Sequence, residues 1–287
     1  MRFSVLTLNA RDLPDGKQAG SESLEGVARY IAEHNVSCVC LQDCEQAATA
    51  PVVDAESGVS ADNLAYRLSA RLNTLGLKYE MVWSGSPPPE GGNPIGCAIL
   101  GQLPILATSR AGGVPGASSD PPACAVAARL AVAPGILIDA YTASIDAKTD
   151  GGAEYVARLR DFVSRSGADL ARRSVLPRRR GRPPRSALTQ APPEPVRIVL
   201  LAGDMPDDPN SPVTQALLAD GFADASRLAG PTSANSRKAD TVTPDYGWAA
   251  HVYIRPGIKP TDVSPALADD ARTHRSQRCG LLLGFEV

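Results

Sequence analysis

Histidine is scarce in this chain: three in 287 residues, at positions 34, 251 and 274. Each proton-moving role open to histidine therefore has few candidates. Aromatic residues are also sparse, at 5%, so the 43% hydrophobic content must build a core mainly from aliphatic side chains. No apolar run approaches the ~18 residues that a membrane-spanning helix requires. The opening Met1-Arg2-Phe3-Ser4-Val5-Leu6-Thr7-Leu8-Asn9 alternates like a strand and lacks the apolar block and cleavage site of a signal peptide, which leads us to expect a cytoplasmic protein. With a net charge of -2 the whole molecule does not attract nucleic acid, and any basic footprint must be local. The six cysteines, at 38, 40, 44, 97, 124 and 279, contain no pair separated by two residues. A zinc knuckle is thereby disfavoured, and buried free thiols are expected.

What is present is an alternation of strand and helix signals. Residues 3–9 read as a strand ending at Asn9. Leu24, Val27, Ala28 and Ile31 recur at helical spacing, and Asn35 stands where that helix should stop. Val36 to Leu41 forms a second strand, followed by Gln42-Asp43. Leu64, Leu68, Leu72 and Leu75 make another helical stripe, with Asp62 and Asn63 as capping residues and Gly76 as its end. Further strands are expected at 79–83, 95–100, 125–133 and 136–142, with a helix at about 152–171 and a short one around 213–219. Strands dominate, helices intervene and no repeat is visible. This favours an α/β sandwich over a parallel doubly wound sheet.

The chain is organised around Arg197-Ile198-Val199-Leu200-Leu201-Ala202-Gly203-Asp204-Met205-Pro206. Its apolar run predicts a strand buried on both faces, and Gly203-Asp204 leaves a carboxylate at the strand's end, where functional loops gather. Just before it, residues 172–195 break all pattern. Seven arginines lie between 172 and 185, interleaved with prolines. Such a stretch cannot bury a core and reads as a disordered insertion within one 1–287 domain. It contains Arg180-Gly181-Arg182-Pro183, the core of an AT-hook, in which an extended Arg-Gly-Arg enters a narrow minor groove. A solvated linker is the plainer reading of the same residues.

The order of strand endings resembles the endonuclease/exonuclease/phosphatase superfamily, the DNase I-like fold, over nearly the full length. Asn9 ends the first strand. Leu41-Gln42-Asp43 resembles "LQE", and Gly96-Cys97-Ala98-Ile99-Leu100-Gly101-Gln102-Leu103-Pro104-Ile105 resembles the "G-x-A-I-L-S-R-x-P-I" stretch. Gly203-Asp204-Met205-Pro206 resembles "G-D-F-N", and Gly230-Pro231-Thr232 resembles "G-x-T". The resemblance implies a four-layered α/β sandwich, two mainly antiparallel sheets flanked by helices. It also implies a metal-assisted phosphoesterase, with Mg²⁺ (or Mn²⁺) held near Asn9 and position 43, and Asp204 and histidines serving catalysis.

The departures from that pattern shape the functional expectation. Asp43 replaces the metal-binding Glu and is shorter by one methylene, about 1.5 Å of reach, against a metal–ligand tolerance of about 0.2 Å. Ser144, or alternatively Ala143, falls in a histidine slot. Pro206 replaces the asparagine of "G-D-x-N", Ala250 an aspartate, and Gln277 and Arg278 the terminal "D-H". His251, one residue past Ala250, is expected on the opposite strand face. His274 could enter the site only through a rearranged loop, and Asp139 and Asp146 are expected at the surface or in turns. The expectation is a degenerate site that binds a phosphorylated ligand, nucleic acid or a protein partner. The alternative is a working Mg²⁺-dependent phosphodiesterase that uses Asn9, Asp43, Asp204 and His274.

Overall fold

In the computed structural model, the structure describes residues 1–11, 13, 23–85, 92–111, 124–144, 152–173, 194–206, 209–228, 248–255, 257–267 and 280–286. In chain order the elements are β1 (Arg2–Asn9), α1 (Leu24–Glu33), β2 (Cys38–Glu45), β3 (Val52–Asp54), β4 (Val59–Ser60), α2 (Leu64–Thr74), β5 (Glu80–Gly85), β6 (Ile95–Gly101) and β7 (Ile105–Ala111). They continue with β8 (Ala125–Ala133), β9 (Ile136–Ser144), α3 (Gly152–Arg173), β10 (Val196–Pro206), α4 (Pro212–Ala219), β11 (Ala223–Asp224), α5 (Ala225–Leu228), β12 (Trp248–Ile254), β13 (Pro260–Ala266) and β14 (Gly280–Glu286).

Two six-stranded sheets result, ordered β13-β14-β1-β2-β6-β5 and β11-β12-β10-β9-β8-β7. Alternation along each strand sends one set of side chains into the seam between the sheets and the other toward helices. Phe3, Val5, Cys38, Cys40, Leu200, Ala202 and Val252 fill the seam. Leu6, Leu8, Val39 and Leu41 pack outward against Val27 and Ile31 of α1 and Leu68 and Leu72 of α2. On the far side, Tyr141, Leu201 and Tyr253 meet Leu159 and Phe162 of α3 and Val213 and Leu217 of α4. The molecule is therefore layered helix, sheet, sheet, helix, the four-layered order that the family resemblance implies. Truncating a fully buried seam residue such as Leu200 to alanine is expected to cost about 2–5 kcal/mol.

Local chemistry explains the element ends. Ser23 caps α1 by accepting from the Gly26 amide, and Asn63 caps α2 by accepting from the Tyr66 amide at 3.1 Å. Asp62 is not the cap; its carboxylate accepts from the Ala47 amide at 2.8 Å. Asn35 leaves α1 with φ 47°, a left-handed turn that asparagine tolerates. Residues 102–105 do not simply extend β6: after Pro104 the chain crosses to the second sheet as β7. The small β3–β4 hairpin and strands β11 and β13 carry no apolar run or strict alternation that would reveal them in the sequence. Arg172 and Arg173, expected in the irregular insertion, belong to the last turn of α3. The Arg180–Pro183 hook lies outside the described residues.

Candidate functional site

The end of β1 and a bulge in β2 build one half of the site. β2 pairs with β6 in regular antiparallel register through Leu41↔Ala98, and the register resumes at Cys44↔Gly96. Gln42 and Asp43 thus share the space opposite Cys97, and Asp43 takes φ 53°. Leu41 and Cys44 consequently both face the helices, three positions apart, which strict alternation forbids. The bulge brings Asp43 to Asn9, whose amide nitrogen donates to Asp43 Oδ2 at 3.0 Å. Both residues are buried. Asn9 Oδ1 accepts from the Arg11 backbone amide at 3.0 Å, and the Arg11 guanidinium lies 3.2 Å from Asp43 Oδ2. The Arg11 side chain is 48% exposed, against 8% for that of Asp43, so a solvent-facing cation covers a buried carboxylate.

Gln42, between Leu41 and Asp43, ties this half to the second sheet. Its amide nitrogen lies 3.0 Å from Thr7 Oγ1 on β1, 2.8 Å from Thr142 Oγ1 on β9 and 3.2 Å from the Cys40 carbonyl oxygen. The side chain is fully buried, and its Oε1 has no partner among the described residues.

The second sheet supplies three neighbouring strand ends. Asp204 stands opposite Ser144 of β9 on one side and opposite Ala250 of β12 on the other, and Pro206 stands opposite Trp248. Thr142, which Gln42 reaches, lies two residues before Ser144 on β9. β1 packs against β10 and β12, and β2 against β9 and β10. Asn9, Asp43, Ser144, Asp204 and Ala250 therefore occupy the same end of the sandwich. Gly203 is demanded by this packing, because a Cβ there would stand 2.7 Å from the Ala143 carbonyl oxygen. His274, Gln277 and Arg278 lie outside the described residues.

Whether the first-sheet half suits a divalent ion can be judged from its donors. Mg²⁺ takes six oxygens in a near-octahedral shell, usually including one or two carboxylates and several waters. Here Asn9 Oδ1 is engaged by a backbone N–H, and Asp43 Oδ2 receives both the Asn9 amide and the Arg11 guanidinium. Among the described residues, no three His, Cys, Asp or Glu side chains are grouped as a metal cage. As arranged, Asn9 Oδ1 and Asp43 Oδ2 are committed to neighbouring N–H groups, and a guanidinium supplies positive charge beside the carboxylate.

His251 lies on the face of β12 away from the seam, as the alternation predicts. Its Nδ1 is 3.2 Å from Asp224 Oδ2, and its ring stacks on Tyr253 at 5.8 Å. Asp224 also accepts from the Ser226 amide at 2.9 Å and from the Ser226 hydroxyl. Burial pushes the Asp224 carboxyl upward, but the bonds from His251 and Ser226 outweigh it, and the group ends below its ordinary value. Asp224 escapes sequence reasoning because Ala223-Asp224 is a two-residue strand with no apolar pattern around it. Asp139, expected at the surface, is instead fully buried. It accepts two bonds from Arg129 of β8, at 2.6 and 2.7 Å, and Arg129 stands directly opposite it in the sheet. A lone aspartate inside an apolar strand becomes tolerable once a cross-strand arginine neutralises it.

Solved structures with the same architecture span the whole chain. An endonuclease/exonuclease/phosphatase family protein from Leptotrichia buccalis superposes with a TM-score of 0.70 at 16% identity, covering 99% of this chain and 100% of its own. The chain has the DNase I-like fold of endonuclease/exonuclease/phosphatase proteins. An endonuclease/exonuclease/phosphatase from Bacteroides vulgatus shares this DNase I-like fold at a TM-score of 0.63 and 12% identity, covering 100% of this chain and 99% of its own. So does D. rerio TDP2 complexed with a single strand DNA product, at 0.58 and 14% identity, with 100% and 99% covered. No family model matches the sequence, and no curated protein does. No helix among the described residues is long and apolar enough to cross a membrane.

Proposed function

We propose that this protein is a divergent member of the endonuclease/exonuclease/phosphatase superfamily, impaired as a hydrolase, that binds a phosphate-bearing ligand at the Asn9–Asp43–Asp204 end of the sandwich. The observation that carries the reading is the Arg11–Asp43–Asn9 cluster. A half-exposed guanidinium lies against the carboxylate that the family resemblance assigns to a metal. Guanidinium has five N–H donors and suits phosphate oxygens, and the Arg11 contact with Asp43 is made through Nη2 at 3.2 Å. Phosphate binding there needs no metal, whereas hydrolysis would lack groups. Ala250 and Pro206 carry neither a carboxylate nor an amide, and general acid–base groups are each worth about 10²–10⁴-fold in rate.

The neighbour solved with a single strand DNA product favours a nucleic-acid end as the ligand, with Arg180, Gly181, Arg182 and Pro183 as a second contact. The competing reading is a Mg²⁺- or Mn²⁺-dependent phosphodiesterase using Asn9, Asp43, Asp204 and His274. One experiment separates them: turnover of bis(4-nitrophenyl) phosphate by the full chain across a Mg²⁺ and Mn²⁺ titration, beside Asp204→Ala. The expected result is no metal-dependent turnover distinguishing the two proteins, together with binding of a 5′-phosphorylated oligonucleotide that Arg11→Gln weakens. Metal-dependent turnover that disappears in Asp204→Ala refutes the proposal.

A further inference from the structure

On the opposite face of the second sheet lies an open cleft of about 650 Å³, lined by the sheet, α3 and α4. That volume falls within the range of small-molecule sites, roughly 300–1,000 Å³. The cavity is separate from the site described above. Arg197, on its wall, precedes Asp204 by seven positions on β10, about 23 Å at 3.3 Å per residue. It also opens on the helix side of the sheet instead of the seam.

Its charges do not cancel. Asp139 is held by the two bonds from Arg129. Asp220 takes two bonds from Arg160, at 2.6 and 2.5 Å. Asp161 pairs with Arg165 one helical turn along α3. Among the described residues, each carboxylate of the lining thus has a guanidinium of its own, two of them (Arg129 and Arg165) from outside the lining, which leaves Arg197 and Arg255 in excess. Arg197 approaches only the already neutralised Asp139, at 3.7 Å, with its side chain 45% exposed. Arg255 lies over the Phe222 ring at 4.9 Å. The Arg255 backbone amide donates to the Val199 carbonyl at 3.0 Å, which fixes it on the strand beside Arg197. Two guanidiniums on adjacent strands, Arg197 sharing Asp139 with Arg129 and Arg255 resting on a ring, stand at a cavity of this size and are suited to bidentate recognition of phosphate oxygens.

We propose that this cavity binds a small phosphorylated molecule, with Arg197 and Arg255 as its anion-holding residues. The proposal stands independently of the function assigned to the Asn9 end. Its test is calorimetric titration of the full chain at low ionic strength with inorganic pyrophosphate and, separately, with ADP. Saturable binding of at least one probe is expected, weakened about tenfold by Arg197→Gln and by Arg255→Gln. The control Arg165→Gln is expected to bind like the parent. Since Arg255 packs on Phe222, thermal melts of each variant accompany the titrations, and Arg255→Lys keeps the charge if Arg255→Gln loosens the fold. Arg197 is half-exposed, so its variant carries the test alone if need be. Absence of binding by both probes at millimolar concentration overturns the proposal. So does binding that Arg197→Gln leaves unchanged. If Arg11→Gln abolishes the signal while the Arg197 and Arg255 variants retain it, the second site is refuted and the function proposed for the Asn9 end still stands.

Discussion

Gln42 offers the sharpest test of how the two sheets are joined beside the candidate site. Replacing it with leucine keeps the size and removes the amide that reaches Thr7 and Thr142. Each lost bond is worth about 0.5–1.5 kcal/mol net, and a hydroxyl left buried without a partner costs about 1–3 kcal/mol. Against this, the change also removes the buried Oε1, and a threonine hydroxyl can rotate toward its own backbone. The balance for Gln42→Leu is a loss of about 2–4 kcal/mol. Thr142→Val should cost only about 0.5–1.5 kcal/mol, because the amide keeps Thr7 and the Cys40 carbonyl as acceptors. If the two side chains meet across the seam, the double variant should be more stable than the sum of the singles implies, by roughly 1 kcal/mol. Urea denaturation followed by circular dichroism measures all four proteins. A Gln42→Leu loss within about 0.5 kcal/mol of zero, or strict additivity with Thr142→Val, refutes the claim that this amide bridges the sheets.

Other perturbations give independent checks. Arg129→Met leaves the buried Asp139 carboxylate with only the longer contact to Arg197 and is expected to cost up to about 3–5 kcal/mol in urea denaturation, with Asp139→Leu in the same chain recovering most of the loss. Asp224, held below its usual value of 3.8, contributes stability above about pH 4 that fades as the pH falls through its lowered folded value. The parent should therefore lose its advantage over Asp224→Asn between about pH 5 and pH 3, and a gap that widens on acidification contradicts the assignment. Burial pushes the thiols of Cys44 and Cys97 well above their ordinary value. Ellman's reagent should accordingly modify Cys38, Cys40, Cys44, Cys97 and Cys124 only on unfolding, which peptide mapping can read. Excising residues 174–193 with a short Gly-Ser replacement is expected to leave the melting transition within a few degrees of the parent. A collapse of the fold would show that the segment belongs to the core.

The layered architecture was legible because strands and helices carry different patterns: α1 and α2 keep the helical period, β1 alternates, and β2 and β10 carry continuous apolar runs. The end of β1 was legible too, since Asn9 closes an apolar run, whereas β10 continues two residues past Asp204 to Pro206, with Met205 buried. What stayed hidden depends on partners distant in sequence. Asp139 looks like a surface residue until Arg129 is placed opposite it. Asp224 acquires meaning only through His251, and Asp43 points at Asn9 only because a bulge breaks the alternation. Arg11 was overlooked for a related reason: one arginine after a strand carries no pattern, and its role comes from a carboxylate 32 positions away.

The left-handed backbone at Asp43 has a consequence for any attempt to place a glutamate at this position. Aspartate and asparagine are among the few side chains that rest comfortably at φ 53°. Installing the longer glutamate would therefore do more than add reach: it would press a less tolerant residue into an awkward bend while Arg11 still contests the same carboxylate. Backbone shape and side-chain identity at this position are coupled, so changing one without the other should yield a loosened loop.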